Sequence, residues 1–226
     1  MPGRFGFNLS KEDLEQGFGV AVDGDGPAPD YNIAPDPSGQ RPVLVVLVEH
    51  GQNNARRVLR GLAWGLVPSW SRDPRRFFIN ARAESALEKP SFKNALRHRR
   101  CLVPAGLFYE WQPQAGGGPK VPYVFTLENS APFAMAAIWE HNEDAGTGLA
   151  LLTVAANPLV APVHDRMPVI LPPEDYAAWL DPATPVAALP ALLRPFAAGR
   201  MRCWAVSRRV NNPALHGPEL LEPPEV

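Results

Sequence analysis

Apolar positions along this chain come in short runs, not long stripes. Runs at 42–49 (PVLVVLVE), 101–111 (CLVPAGLFYEW), 121–127 (VPYVFTL), 133–139 (FAMAAIW), 149–156 (LALLTVAA) and 167–171 (MPVIL) have strand length and are rich in Val, Ile and aromatics. Such side chains pack well on a pleated, half-buried surface, so each run is a predicted strand. Helical spacing is confined to 11–17, 83–98, 173–180 and 185–198. Pro173, Glu174 and Asp175 open the third in the manner of a helix start. Two prolines in ALPALLRPF shorten or break the fourth. GDGPAPD at 24–30 and QAGGGPK at 114–120 are predicted turns with flanking strands able to pair. No repeat of fixed period is present. The pattern predicts one α+β domain over 1–226, with a tail from about 213. Its core is a mixed, mostly antiparallel sheet curling into a β-barrel-like shape, with peripheral helices.

Composition supports a sizeable core: 46% of the 226 residues are apolar, with six Trp and ten Phe. The 27 prolines are spread along the chain and punctuate many short elements. The net charge of −1 carries no global nucleic-acid signature, although local patches matter more than totals. Cys101 and Cys203 are too few for a disulfide framework or a zinc site, which points to a reducing, cytoplasmic setting. No metal or organic cofactor is implied. The start has no apolar leader. Residues 145–163 lack charge, but their glycines, threonines, Asn157, Pro158 and Pro162 make them a buried strand plus loop, not a membrane helix. No heptad or helical seam suggests an obligate assembly, so a monomer is expected.

Charge is uneven, and this changes the picture. Segment 71–100 holds seven arginines and two lysines against Asp73, Glu84 and Glu88, a net of +6. Arginine suits phosphate forks, so the segment is either a phosphate-binding surface or a solvated helix face. In FINARAE, an extended chain would put Phe78, Asn80 and Arg82 on one face, as a nucleotide-contacting strip or a polar sheet edge. In LFYEW, Glu110 lies among Leu107, Phe108, Tyr109 and Trp111. Desolvation would raise its pKa toward that of a general acid–base, whereas pairing to an arginine would lower it. In VHDRMP, His164 follows the loop-forming Asn157-Pro158 and Pro162 and suits either proton transfer or a structural hydrogen bond. In AVSRRVNN, Ser207, Arg208 and Arg209 follow a strand-like CWAV, as a phosphate grip or an exposed loop.

Taken together and in order, GRF (3–5), YNIAP (31–35), WGLVPSW (64–70), INARAE (79–84), RCLVPAGLFYEW (100–111), HDRMPVIL (164–171) and VSRRVNN (206–212) closely resemble the SOS response-associated peptidase family, whose members shield abasic sites in single-stranded DNA. The resemblance implies a compact α+β domain with a positively charged DNA channel. It implies that the initiator Met is removed and that a residue-2 Cys condenses with the sugar aldehyde into a stable thiazolidine crosslink. By the same resemblance, Asn80 orients the linkage, Glu110 is the general acid–base, and His164 assists ring opening and proton transfer. Arg4, Arg82, Ser207 and Arg208 would hold flanking phosphates, and Trp70 would stack on or wedge against a base.

Position 2 departs from that pattern. Pro2 stands where the family has Cys, and without a β-thiol no thiazolidine forms. Three readings stay open. A freed Pro2 nitrogen, a secondary amine, forms a transient iminium and nicks DNA as an AP-lyase. Alternatively, the chain binds single-stranded DNA without covalent capture. Or the residue at position 2 is engineered or misassigned. Proteolysis is limited to removal of its own Met1, since no side-chain nucleophile remains there.

Overall fold

The computed structural model describes residues 2–50 and 55–224. Two sheets carry the fold. The first has the order β13 (Met201–Ala205), β8 (Val121–Leu127), β7 (Leu107–Gln112), β1 (Phe5–Phe7), β2 (Asp30–Ile33). The second runs through β11 (Arg166–Pro168), β10 (Gly146–Ala155), β4 (Ala55–Trp64), β3 (Val43–His50), β6 (Arg100–Ala105), β9 (Phe133–Asn142) and β12 (Ile170–Leu171). Because β9 also pairs with β10, the strands β10, β4, β3, β6 and β9 close into a ring. The short β5 (Asn80–Arg82) lies parallel on β10. Apart from β5 and β4 against β10, the pairings are antiparallel.

Ring closure needs one close approach. Where β4 meets β10, a Cβ built at Gly148 would lie 2.3 Å from the Gly65 carbonyl oxygen. Only a residue without a side chain lets the two backbones meet there. Both faces of the ring strands are covered: Leu102, Ala136 and Ile138 on one face and Leu149 and Leu151 on the other are all fully buried. Phe5 of β1 packs edge-on against Trp64 of β4 at 5.3 Å, which joins the two sheets through the first residues of the chain.

Helices are peripheral and short: α1 (Lys11–Phe18), α2 (Ala83–Ala86), α3 (Lys93–His98), α4 (Tyr176–Leu180) and α5 (Leu189–Leu192). Ser10 and Asp13 form a capping box on α1, and Gly19 closes it in the left-handed conformation. The expected helix over 83–98 is instead two pieces. Lys89-Pro90 falls between them, and Pro90 cannot donate the backbone bond that a continuous helix requires. The run 101–111 is likewise two strands, because the chain leaves one sheet and enters the other at Gly106. The turn at 114–120 links the paired β7 and β8 as expected, whereas the turn at 24–30 follows α1 and leads into β2. Residues 214–224 pack on the domain: the His216 carbonyl accepts from Tyr31 N at 3.0 Å, the Leu221 carbonyl accepts from Trp204 Nε1 at 2.9 Å, and Leu220 is fully buried. Among the described residues no helix is long and apolar enough to cross a membrane.

Candidate functional site

Strand register builds the site. β1 lies antiparallel to β7 with Phe5 opposite Phe108, and Tyr109 N donates to the Arg4 carbonyl at 3.0 Å. Continuing that register sets Gly3 opposite Glu110. Along β7 the side chains alternate. Tyr109 belongs to a small cluster with Leu107 and Val124, while Phe108 enters the main core and stacks on Phe125 at 4.9 Å. Glu110 therefore shares the Phe108 face, at its rim. Burial pushes its carboxyl up to about 7, with Asp165 adding to the rise.

His164 is placed by the turn after β10. Asn157 Oδ1 accepts from the amides of Leu159 and Val160, and Asn157 Nδ2 donates to the Phe196 carbonyl at 2.7 Å. The Arg166 amide donates to His164 Nδ1 at 2.9 Å. Asp165 Oδ1 lies 3.0 Å from the same nitrogen, so Nδ1 is held between an amide donor and a carboxylate. Burial holds the imidazole below its ordinary pKa; Asp165 opposes and Lys120 adds to that effect.

Asn80 starts β5, held there by pairing with β10 and by Trp64 Nε1 donating to the Ile79 carbonyl at 2.8 Å. It is buried, and its Nδ2 donates to the Pro2 carbonyl at 2.8 Å. Its Oδ1 is buried with no hydrogen-bond partner among the described groups. Gly3, Arg4, Glu110, Trp111, Lys120 and His164 line a cleft of about 370 Å³. The amide, acid and imidazole thus converge on the first residues of the chain.

The five residues expected to hold DNA are less uniform. Arg4 lines the cleft, but one arm of its guanidinium donates to Asn32 Oδ1 at 2.7 Å and to the Val210 carbonyl at 2.9 Å. Burial, then Arg41, lowers its pKa. Arg82 is exposed at the end of β5, and Trp70 is 56% exposed. Ser207 Oγ accepts from Arg209 N at 3.4 Å, and Arg208 donates to the Pro119 carbonyl at 3.3 Å. Trp70, Arg82, Ser207 and Arg208 do not line the cleft itself. Nor is segment 71–100 one cationic surface. Arg100 is 5% exposed and donates to the carbonyls of Leu96, Arg97, Trp179 and Asp181, and Arg99 pairs with Glu140 at 2.7 Å. Cys101 is buried in β6 and Cys203 half-buried in β13, both away from the cleft.

Sequence reasoning missed three positioning groups. Arg166 forks onto Glu84 with two bonds of 2.7 Å and donates to the Thr153 carbonyl, which locks the His164 loop to the segment carrying Asn80. Asn32, fully buried, donates to the carbonyls of Val210, Asn212 and Leu215. Lys120 lines the cleft from the glycine turn. Glu84, Arg166 and Asn32 lie within the quoted motifs, and a polar residue inside an apolar strand was the available signal for Asn32.

Fold and site together define an α+β protein in which Pro2, Gly3 and Arg4 lie beside an amide, a raised carboxylic acid and an imidazole of lowered pKa. A family model described as SOS response associated peptidase (SRAP) matches residues 1–213, and the chain belongs to that family. Relatives include the abasic site processing protein YoqW of Bacillus subtilis, 39% identical over 201 residues covering 86% of both chains. HMCES of Gallus gallus is 34% identical, covering 88% of this chain and 67% of its own, and YedK of Escherichia coli is 29% identical, covering 99% and 100%. Both are also named abasic site processing proteins. A crystal structure from Bacteroides thetaiotaomicron shares the fold with a TM-score of 0.82 at 21% identity, over 98% of this chain and 99% of that one.

Proposed function

We propose that this protein processes abasic sites in single-stranded DNA, as a monomer, and that the Pro2 nitrogen freed by loss of Met1 is the reacting group. One observation carries the reading: Asn80, with a buried and unpartnered Oδ1, grips the Pro2 carbonyl beside the cleft that Glu110 and His164 line. The free Oδ1 is an acceptor for the hydroxyl of a carbinolamine formed on that nitrogen.

The chemistry balances without a thiol. The secondary amine adds to the C1′ aldehyde of the ring-opened sugar, its N–H proton passes through the neutral His164 imidazole to the oxygen, and protonated Glu110 delivers a second proton to the leaving hydroxyl. Loss of water gives an iminium. Glu110, with both protonation states populated near neutrality, takes the C2′ proton. The electron pair returns to expel the 3′-phosphate, breaking the C3′–O bond. Water then releases the unsaturated aldehyde and restores the amine. In this reading Arg4 contacts a phosphate at the cleft, Arg82, Ser207 and Arg208 contact phosphates further along the strand, and the exposed Trp70 offers a stacking surface.

The test uses protein whose Met1 removal is verified by intact mass. With an abasic oligonucleotide, borohydride is expected to trap a reduced amine adduct, and omission of borohydride is expected to leave a nicked strand. Pro2→Cys is expected to form a stable crosslink unaided. Fully processed protein that binds but yields neither adduct nor nick refutes Pro2 as nucleophile and leaves the non-covalent binder.

A further inference from the structure

We infer that Lys120 is a phosphate-binding residue of the cleft, gripping one of the two phosphates that border the abasic sugar. The inference rests on the abasic-site reading above and goes beyond it in assigning the role to a residue from the β7–β8 turn. Lys120 is the one lysine lining the cleft, opposite the wall that Gly3 and Arg4 form. Its charge acts on both Glu110 and His164, so it sits within electrostatic reach of both proton-transfer groups.

The turn that carries it is anchored at both ends. Gly116 and Gly117 both adopt positive φ, of 86° and 79°, and make the bend that returns the chain toward the cleft. Gln112 Nε2, at the base of the turn, donates to the Pro162 carbonyl at 3.0 Å, which ties the turn to the loop bearing His164. On the far side, Arg208 donates to the carbonyl of Pro119, the residue directly before Lys120. The position of Lys120 is thereby coupled to the imidazole loop. Its own side chain is exposed, and a lysine carries its ammonium on a four-carbon stem with several rotatable bonds. Arg4 cannot take the same role with its whole fork, because one arm is committed to Asn32 and Val210. A second cation is what a backbone with a charge on each side of the sugar requires.

The probe is a single-stranded oligonucleotide with a tetrahydrofuran abasic analogue, which has no aldehyde and so separates binding from covalent chemistry. Three versions are compared: all phosphates natural, or a neutral methylphosphonate on the 3′ or the 5′ side of the analogue. Wild-type protein is expected to lose about tenfold in affinity with one methylphosphonate, the loss of a single charge-assisted contact. Lys120→Ala is expected to lose about tenfold on the natural oligonucleotide and nothing further with that methylphosphonate. Its slope of log affinity against log salt should fall by about 0.7. Lys120→Arg should restore both. Wild-type binding with Lys120→Ala still as sensitive to both methylphosphonates overturns the assignment and leaves the abasic-site reading standing. Failure of the wild type to bind any of the three overturns the abasic-site reading itself.

Discussion

Glu110→Gln separates stability from activity at one atom. Burial raises the Glu110 carboxyl from 4.5 to about 7 in the folded chain. The folded state therefore holds this proton more tightly than the unfolded state does. The associated stabilisation is present in full below pH 4.5 and is lost as pH rises through 7. At about 1.4 kcal/mol for each tenfold change in proton affinity, the loss reaches about 3 kcal/mol by pH 8.5. Glutamine keeps the shape and cannot ionise, so the variant escapes this loss. His164 works in the opposite direction, since a depressed imidazole favours the fold at higher pH. It is common to both proteins and cancels in the comparison. Urea midpoints measured from pH 5 to 8.5 should show the variant close to wild type at pH 5 and more stable by about 3 kcal/mol at pH 8.5. In thermal terms this is about 6–12 °C for a chain of this size. Strand scission should fall by about 10² to 10⁴ with binding retained. A stability difference that does not grow with pH refutes the desolvated carboxyl. Loss of binding makes Glu110 a structural group.

Two further changes probe how the site is held. Gly148→Ala drives a methyl into the Gly65 carbonyl and should cost about 1–3 kcal/mol, read as a lower urea midpoint; an unchanged midpoint is incompatible with closure of the strand ring at that contact. Glu84→Ala leaves the largely buried Arg166 guanidinium without its fork partner, and because Glu84 is itself half-exposed the expected cost is about 1–3 kcal/mol. The same variant should slow scission through displacement of the His164 loop, with partial rescue by Glu84→Gln; full stability together with full activity argues against the lock.

The sequence by itself determined the α+β class, most strands and the first helix, and it singled out the acid, amide and imidazole that the fold brings near one another. These signals are local: β-branched and aromatic runs mark strands, helical spacing over 11–17 marks α1, and Glu110 among aromatics raised a desolvated carboxyl as one of two readings, the one burial favours. The short β1, β2 and β5 escaped the pattern because three or four residues carry too little periodicity, and the ten-residue β4 escaped it because Arg56, Arg57, Arg60 and Gly61 break its apolar run. Which arginines face solvent was equally unreadable. Arg100 is buried because two carbonyls of the adjacent α3 and two from the distant Trp179 and Asp181 meet its guanidinium, and Arg166 is committed to Glu84 across 82 positions. Only the tertiary structure decided that Gly3 lies opposite Glu110, that Asn80 reaches Pro2, and that a lysine on a glycine turn joins them. Strand register and ring closure set those meetings, and both depend on pairings between residues whose sequence separation leaves no local trace.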